Sequence, residues 1–266
     1  DVLMTIENIG DGKASVSATL DFRPMSSALD RTRAAGNALK DIYSLHVLLY
    51  DYENKTLIKS WMIKDYSVSD ESRGDDDADN GHSAETTTKH ASFKLPEEID
   101  FGRYYMYAVA NIPDLLDKYS EAIKTVDGLK NISLVWNTES VTANGQMMGC
   151  FMKSSASDLS VGDDALIVNE KSVKLHSWLR RAASKVTIAY DGTNLKEGVS
   201  IYIMAVSIKD IPRVCPLGTM NTPDHRDSLI HDGETIKYFE GDVTPGLPNF
   251  VDDYKAVVSK QNPIYG

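Results

Sequence analysis

The sequence predicts an all-β, mainly antiparallel protein built as two β-rich units. Three observations carry that reading. Lys13–Phe22, KASVSATLDF, alternates apolar and polar residues without a break, the period of a half-buried strand. Ile42–Tyr50 and Arg103–Asn111 are rich in β-branched and aromatic residues and are bounded by turn formers. Leu175–Asp191, LHSWLRRAASKVTIAYD, joins a basic, helix-compatible patch (Trp178–Ala183) to the β-rich Lys185–Tyr190. Asp191-Gly192 then supplies a turn and Val199–Ile208 a second apolar strand, which together read as a hairpin. The chain before Leu175 reads as one complete unit, and the chain after it as the start of another. The expected domains are residues 1–171 and 172–266.

Composition bounds the function. At 266 residues the chain can bury one large core or two of ordinary size. Its net charge of -11 argues against a nucleic-acid partner, whose phosphates need a clustered basic footprint. No apolar run reaches the roughly 18 residues of a membrane-spanning helix. Asp1 is not an initiator methionine, so the chain reads as trimmed, with a removed export signal left open. Cys150 and Cys215 fall in different expected domains and lack a second ligand at CxxC spacing. They read as two separate, partly buried thiols rather than as a bridge or a zinc site.

In chain order, Lys13–Phe22 directs Ala14, Val16, Ala18, Leu20 and Phe22 to one face, as an edge strand. Residues 23–38 have no period and hold Pro24, Gly36 and the run Asp30–Ala35 with Arg31 and Arg33, the pattern of an exposed, cleavable tether. Ile42–Tyr50 points Tyr43, Leu45, Val47 and Leu49 inward and leaves His46 on the polar face. The turn Asp51–Lys55 and the return strand Thr56–Ile63 complete a hairpin. Asp65–His90 is polar and acidic and reads as a mobile insertion. Its Arg73-Gly74-Asp75 and its Asp75, Asp77, Asp79 spacing evoke an integrin tripeptide and a calcium loop. Asn80 and Thr86 stand where that loop needs glycine and glutamate, so a solvated loop is the better reading.

Ala91, Phe93 and Leu95 alternate again. After the aromatic strand Arg103–Asn111, Pro113 and Asp114 open a helix carrying Leu116, Tyr119, Ile123 and Val126, closed at Gly128. Leu129–Trp136 is a short strand, Met147–Met152 is core or interface filler, and Ala165–Leu175 closes the first unit. The second unit looks sparse in strands, as though part of its sheet came from elsewhere or lay beyond Gly266.

No catalytic motif is present: GxSxG, HExxH, a phosphate loop and a strand-linked GxGxxG are all absent. His225 and His231, with Asp224, Asp227 and Asp232, are the nearest thing to a metal cluster, and they read instead as a solvated loop. No catalytic residue, metal or cofactor is expected.

The chain resembles the fimbrillin-like surface proteins of Bacteroidales. The resemblance is carried by the Ala14–Phe22 strand with its arginine-bearing tether, by Ile42–Asp51, and by Tyr104–Asn111 followed by a helix. Met147-Met148-Gly149 and Leu179–Val186 add to it. It implies two transthyretin-like β-sandwich domains, with a short helix in the first, on an exported precursor anchored by lipid in the outer membrane. It also implies an arginine-specific protease that cuts at Arg33 or Arg31, and other pilus subunits, like or unlike, that fill the groove of the removed strand Ala14, Val16, Ala18, Leu20, Phe22. The lipidated cysteine of that family is not in this sequence, and the second domain is shorter than the family's usual one. The role implied is cell adhesion at the surface, as a subunit of a fimbrium. The alternative is a monomeric surface lipoprotein whose loops bind a glycan or host ligand, with Trp136, Trp178 or Tyr238 lining the site. Asp227-Ser228-Leu229 also looks like the site at which exported Bacteroidales proteins are O-glycosylated, with Ser228 as acceptor.

Overall fold

The computed structural model describes residues 9–22, 41–71, 88–135, 145–153, 165–184, 186, 188–223, 225–239 and 256–265. Two compact units divide the chain. The first contains the Lys13–Phe22 strand, Ala35–Ser184 and Cys215–Asn221; the second contains Lys185–Val214 and Thr222–Gly266.

The first unit is a sandwich of two six-stranded sheets. Its strands begin with β1 (Lys13–Phe22), β2 (Leu45–Asp51), β3 (Leu57–Met62), β4 (Tyr66–Glu71), β5 (Thr88–Lys94), β6 (Ile99–Asp100) and β7 (Gly102–Ala110). They continue with β8 (Ser133–Val135), β9 (Met147–Cys150), β10 (Met152–Lys153), β11 (Leu166–Val168), β12 (Ser172–Trp178) and β13 (Arg180–Arg181). One sheet runs β10-β12-β1-β5-β4 with β6 beside the start of β1; the other runs β13-β9-β7-β2-β3 with β11 beside β7. Pairing is antiparallel except between β1 and β12, which run parallel.

Two layers of core follow from this arrangement. Between the sheets, the inward residues of β1 pack with Leu45, Val47 and Leu49 of β2, Met106 and Ala108 of β7, Phe93, Phe151 and Leu175. On the far side of the second sheet, Leu48, Tyr50, Tyr107 and Val109 are covered by a helical layer bearing Leu115, Ile123, Val126 and Leu129. The second sheet is therefore buried on both faces, which explains why β2 reads as the near-continuous apolar run LHVLLY. His46, expected on a polar face, is buried under this layer instead. The expected single helix is three short pieces, α1 (Leu115–Lys118), a 3-10 turn (Ala122–Lys124) and α2 (Val126–Lys130). Thr125 caps α2 by accepting from Gly128 N, so Gly128 lies inside this helix and does not end it.

Asn111 closes β7 at φ 65°, a left-handed conformation that asparagine tolerates. Its buried amide accepts from Tyr43 N at 2.9 Å and donates to the Asp41 and Gly145 carbonyls, each at 3.1 Å. Gly149 meets a different demand: a Cβ there would strike Ser177 Oγ and the Trp178 carbonyl across the sandwich. That contact is the physical content of the Met-Met-Gly segment.

Several expectations are corrected. β1 is an inner strand, not an edge. β12, which the joint at 171/172 would place in the second domain, pairs with β1 from Ser15↔Ser172 to Asp21↔Trp178, so the first unit runs on to Ser184. The basic patch is no helix: β12 runs through Trp178 and Arg180–Arg181 pairs with β9. The flanks of the acidic insertion are β4 and β5, which pair with each other. Ala165–Leu175 splits into β11 and part of β12.

The second unit is a set of short two-stranded ladders. β14 (Tyr190–Asp191), β15 (Ser200–Tyr202), β16 (Ala205–Ile208) and β17 (Ile211–Pro212) pair respectively with β22 (Ile264–Tyr265), β21 (Val257–Ser259), β20 (Glu234–Lys237) and β19 (Leu229–Ile230). Among the described residues the expected hairpin between Lys185–Tyr190 and Val199–Ile208 is not formed: β14, β15 and β16 each take a partner further along the chain. Its core is Ile203, Ala256 and Val258. One further strand, β18 (Val214–Pro216), pairs with β8 where the chain returns to the first unit. Cys150 and Cys215 therefore both belong to the first unit, and both are half-buried thiols with no disulfide between them. Burial pushes the Cys215 thiol up.

Candidate functional site

The candidate site is the groove that β1 fills. Ala14, Val16, Ala18, Leu20 and Phe22 are all buried, three of them at 0% exposure, because each strand position that alternation turns inward meets the facing sheet. β5 and β12 form the two walls. Leu20 stands opposite Ala91 on one side and Ser177 on the other.

The outward face of β1 carries Ser15, Ser17, Thr19 and Asp21. Asp21 is 9% exposed. A carboxylate removed that far from water needs hydrogen-bond donors. They come from both walls: Asp21 Oδ1 accepts from His90 Nδ1 of β5, and Oδ2 from His176 Nε2 of β12 at 2.6 Å. His90 is directly opposite Asp21 in the ladder, whereas His176 lies opposite Thr19 and reaches across diagonally. The rings of His176 and Trp178 meet edge-on at 5.9 Å, and Trp178 is the residue opposite Asp21 in β12.

Sequence reasoning missed this trio. It placed Asp21 on the polar face and left His90 beside a loop. The signal was present as histidines on the outward positions of two alternating strands, but only the sheet order joins them to Asp21.

The other expected site residues fare differently. Arg31 and Arg33 lie outside the described residues, as do Arg73-Gly74-Asp75, the calcium-like aspartates, His82 and Trp136. Ser228 is half-buried at the end of a 3-10 turn (Arg226–Ser228), and its carbonyl accepts from Arg213 N at 2.9 Å. His231 pairs with Asp210 at 2.7 Å, and no metal-binding group of His, Cys, Asp or Glu is found among the described residues. Trp178 is exposed, while Tyr238 packs against the small core of the second unit.

No family model matches the chain, and no curated protein does. Among solved structures it is similar to a fimbrial assembly protein from Parabacteroides distasonis, at 14% identity and TM-score 0.44, over 86% of this chain and 74% of that one. It is also similar to a C-terminally truncated tip fimbrial protein from Porphyromonas gingivalis, at 14% identity and TM-score 0.43, over 86% of this chain and 66% of that one. A third neighbour is a candidate cell adhesion protein from Parabacteroides distasonis, at 15% identity and TM-score 0.42, over 95% of this chain and 69% of that one.

Proposed function

We propose that this chain is a non-enzymatic subunit of a bacterial surface pilus, serving cell adhesion and assembled by exchange of its first strand. In this reading the precursor carries two transthyretin-like sandwiches and a lipid anchor in the outer membrane. An arginine-specific protease cuts at Arg33 or Arg31, β1 leaves, and a strand from the next subunit fills its place.

The observation that carries the reading is the position of β1. It is an inner strand with its apolar face buried, yet the Arg31/Arg33 tether follows it directly in sequence. Its loss would bare roughly 300–500 Å² of apolar surface, on the order of 10 kcal/mol at about 25 cal/mol/Å². It would also leave a row of unpaired backbone groups on β5 and another on β12. An added strand of the same alternation restores both, which makes strand addition a driving force for polymerisation.

Limited trypsin digestion of the folded protein tests this. N-terminal sequencing should find a new end at Thr32 or Ala34, and light scattering should show that a chain lacking residues 1–33 oligomerises. A truncated chain that stays monomeric and as stable as the parent overturns the reading.

A further inference from the structure

We propose that Asp21 sets the register of the strand in the β1 groove, and that the groove selects a partner segment with a carboxylate at that outward position. The inference rests on the exchange reading above and adds the chemistry of the strand that fits.

Alternation by itself fixes register only to within two residues. A slip of one turns the apolar set outward, but a slip of two leaves apolar side chains facing the core. The outward residues Ser15, Ser17 and Thr19 are small neutral hydroxyls that tolerate either position. Asp21 does not. It is the one charged residue between Lys13 and Arg23, and aspartate is among the residues strands disfavour. It sits where the two walls each supply an imidazole, His90 directly and His176 diagonally.

A slip of two residues would bring either Thr19 or Arg23 between those rings. A threonine offers one neutral hydroxyl oxygen in place of the two carboxylate oxygens, and an arginine sets a cation against the rings. The trio therefore discriminates where the apolar face is permissive, and the carboxylate is read from both sides at once. The fitting occupant is an extended segment of a partner subunit with alternating apolar residues and Asp or Glu in the place of Asp21.

The experiment uses the full chain with residues 27–34 replaced by a site for a specific protease, cut so that β1 is held without a covalent link. Fluorescent peptides of residues 13–22 are then offered: the native form, one with Asp21→Asn, and one in which Thr19 and Asp21 are interchanged. The native peptide should be retained about tenfold longer than the other two, the scale of a charge-assisted hydrogen bond. In a His90→Asn, His176→Asn chain the difference should shrink to within about twofold. The single variant His176→Gln, changed at the more exposed ring, should give an intermediate ratio if the double variant does not fold. Equal retention of the native and Asp21→Asn peptides by the unmodified chain overturns the register proposal and leaves strand exchange standing. Capture of no peptide at all, with the cut verified by mass, overturns both.

Discussion

The two units of this chain use similar strand-forming residues and reach different depths. In the first, two wide sheets face each other and a helical layer covers one of them, so Leu20, Leu45, Leu48, Tyr50 and Met106 are all nearly inaccessible. In the second, the ladders are two-stranded, and Val199, Ile201, Ile208, Ile236 and Ile264 are exposed. Strand-forming apolar residues thus do not bring about burial by themselves; a second layer, sheet or helix, must stand opposite. Cooperative stability belongs to the first unit, and the ladders of the second should open more easily.

The sharpest way to break that contrast is to place a charge in each. Leu20→Asp puts an uncompensated carboxylate in the sandwich core and should destabilise by about 4 kcal/mol or more. Ile236→Asp, on an exposed position of β20, should stay within about 0.5 kcal/mol. Urea unfolding of both variants decides it. Comparable losses would mean that the second unit buries its strands as deeply as the first.

The same contrast explains what could be read in advance. β1 and β7 were legible because one strand alternates and the other concentrates aromatics; β1 buries the five residues that alternation sets on one face, and β7 is buried from Tyr104 to Ala110. The place of β1 was not legible, since nothing local to Lys13–Phe22 announces a parallel partner beginning at Ser172. The domain joint failed for the same reason: Trp178–Ala183 has good helix formers, but the ladder of β13 with β9 overrides that preference. His46 looked solvent-facing because strand alternation assumes one wet face, and the helical layer removes it. The apolar face of β1 was legible in the sequence; its position between β5 and β12, and the histidines those two strands supply, required the sheet order.

A smaller effect should follow from Asn111. The substitution Asn111→Ala removes the bond from Tyr43 N and those to the Asp41 and Gly145 carbonyls, and it holds φ 65° without asparagine's tolerance for it. The expected loss is about 2–3 kcal/mol by chemical denaturation. Asn111→Gly, free in φ but equally without the amide, should lose less by about 1 kcal/mol. If the two variants match, the hydrogen bonds and not the backbone carry the whole cost.

The smallest effect is a pH dependence, and it probes whether the helical layer seals the second sheet. His46 lies between Val109 and Met62 in the ladders, and its Nδ1 finds no hydrogen-bond partner among the described residues. Burial lowers its pKa below the ordinary 6.5, with the Asp114 carboxylate pulling the other way. Well above pH 6.5 the ring is neutral in both states and adds no pH dependence. As pH falls below that value, the unfolded chain takes up a proton that the folded ring resists, so stability declines. His46→Leu should therefore flatten the fall in unfolding free energy between about pH 7 and pH 5, measured by urea titration at each pH against the parent. An unchanged slope would mean that His46 protonates in place. The helical cover would then admit water, and the first unit's outer core would be no better sealed than the ladders of the second.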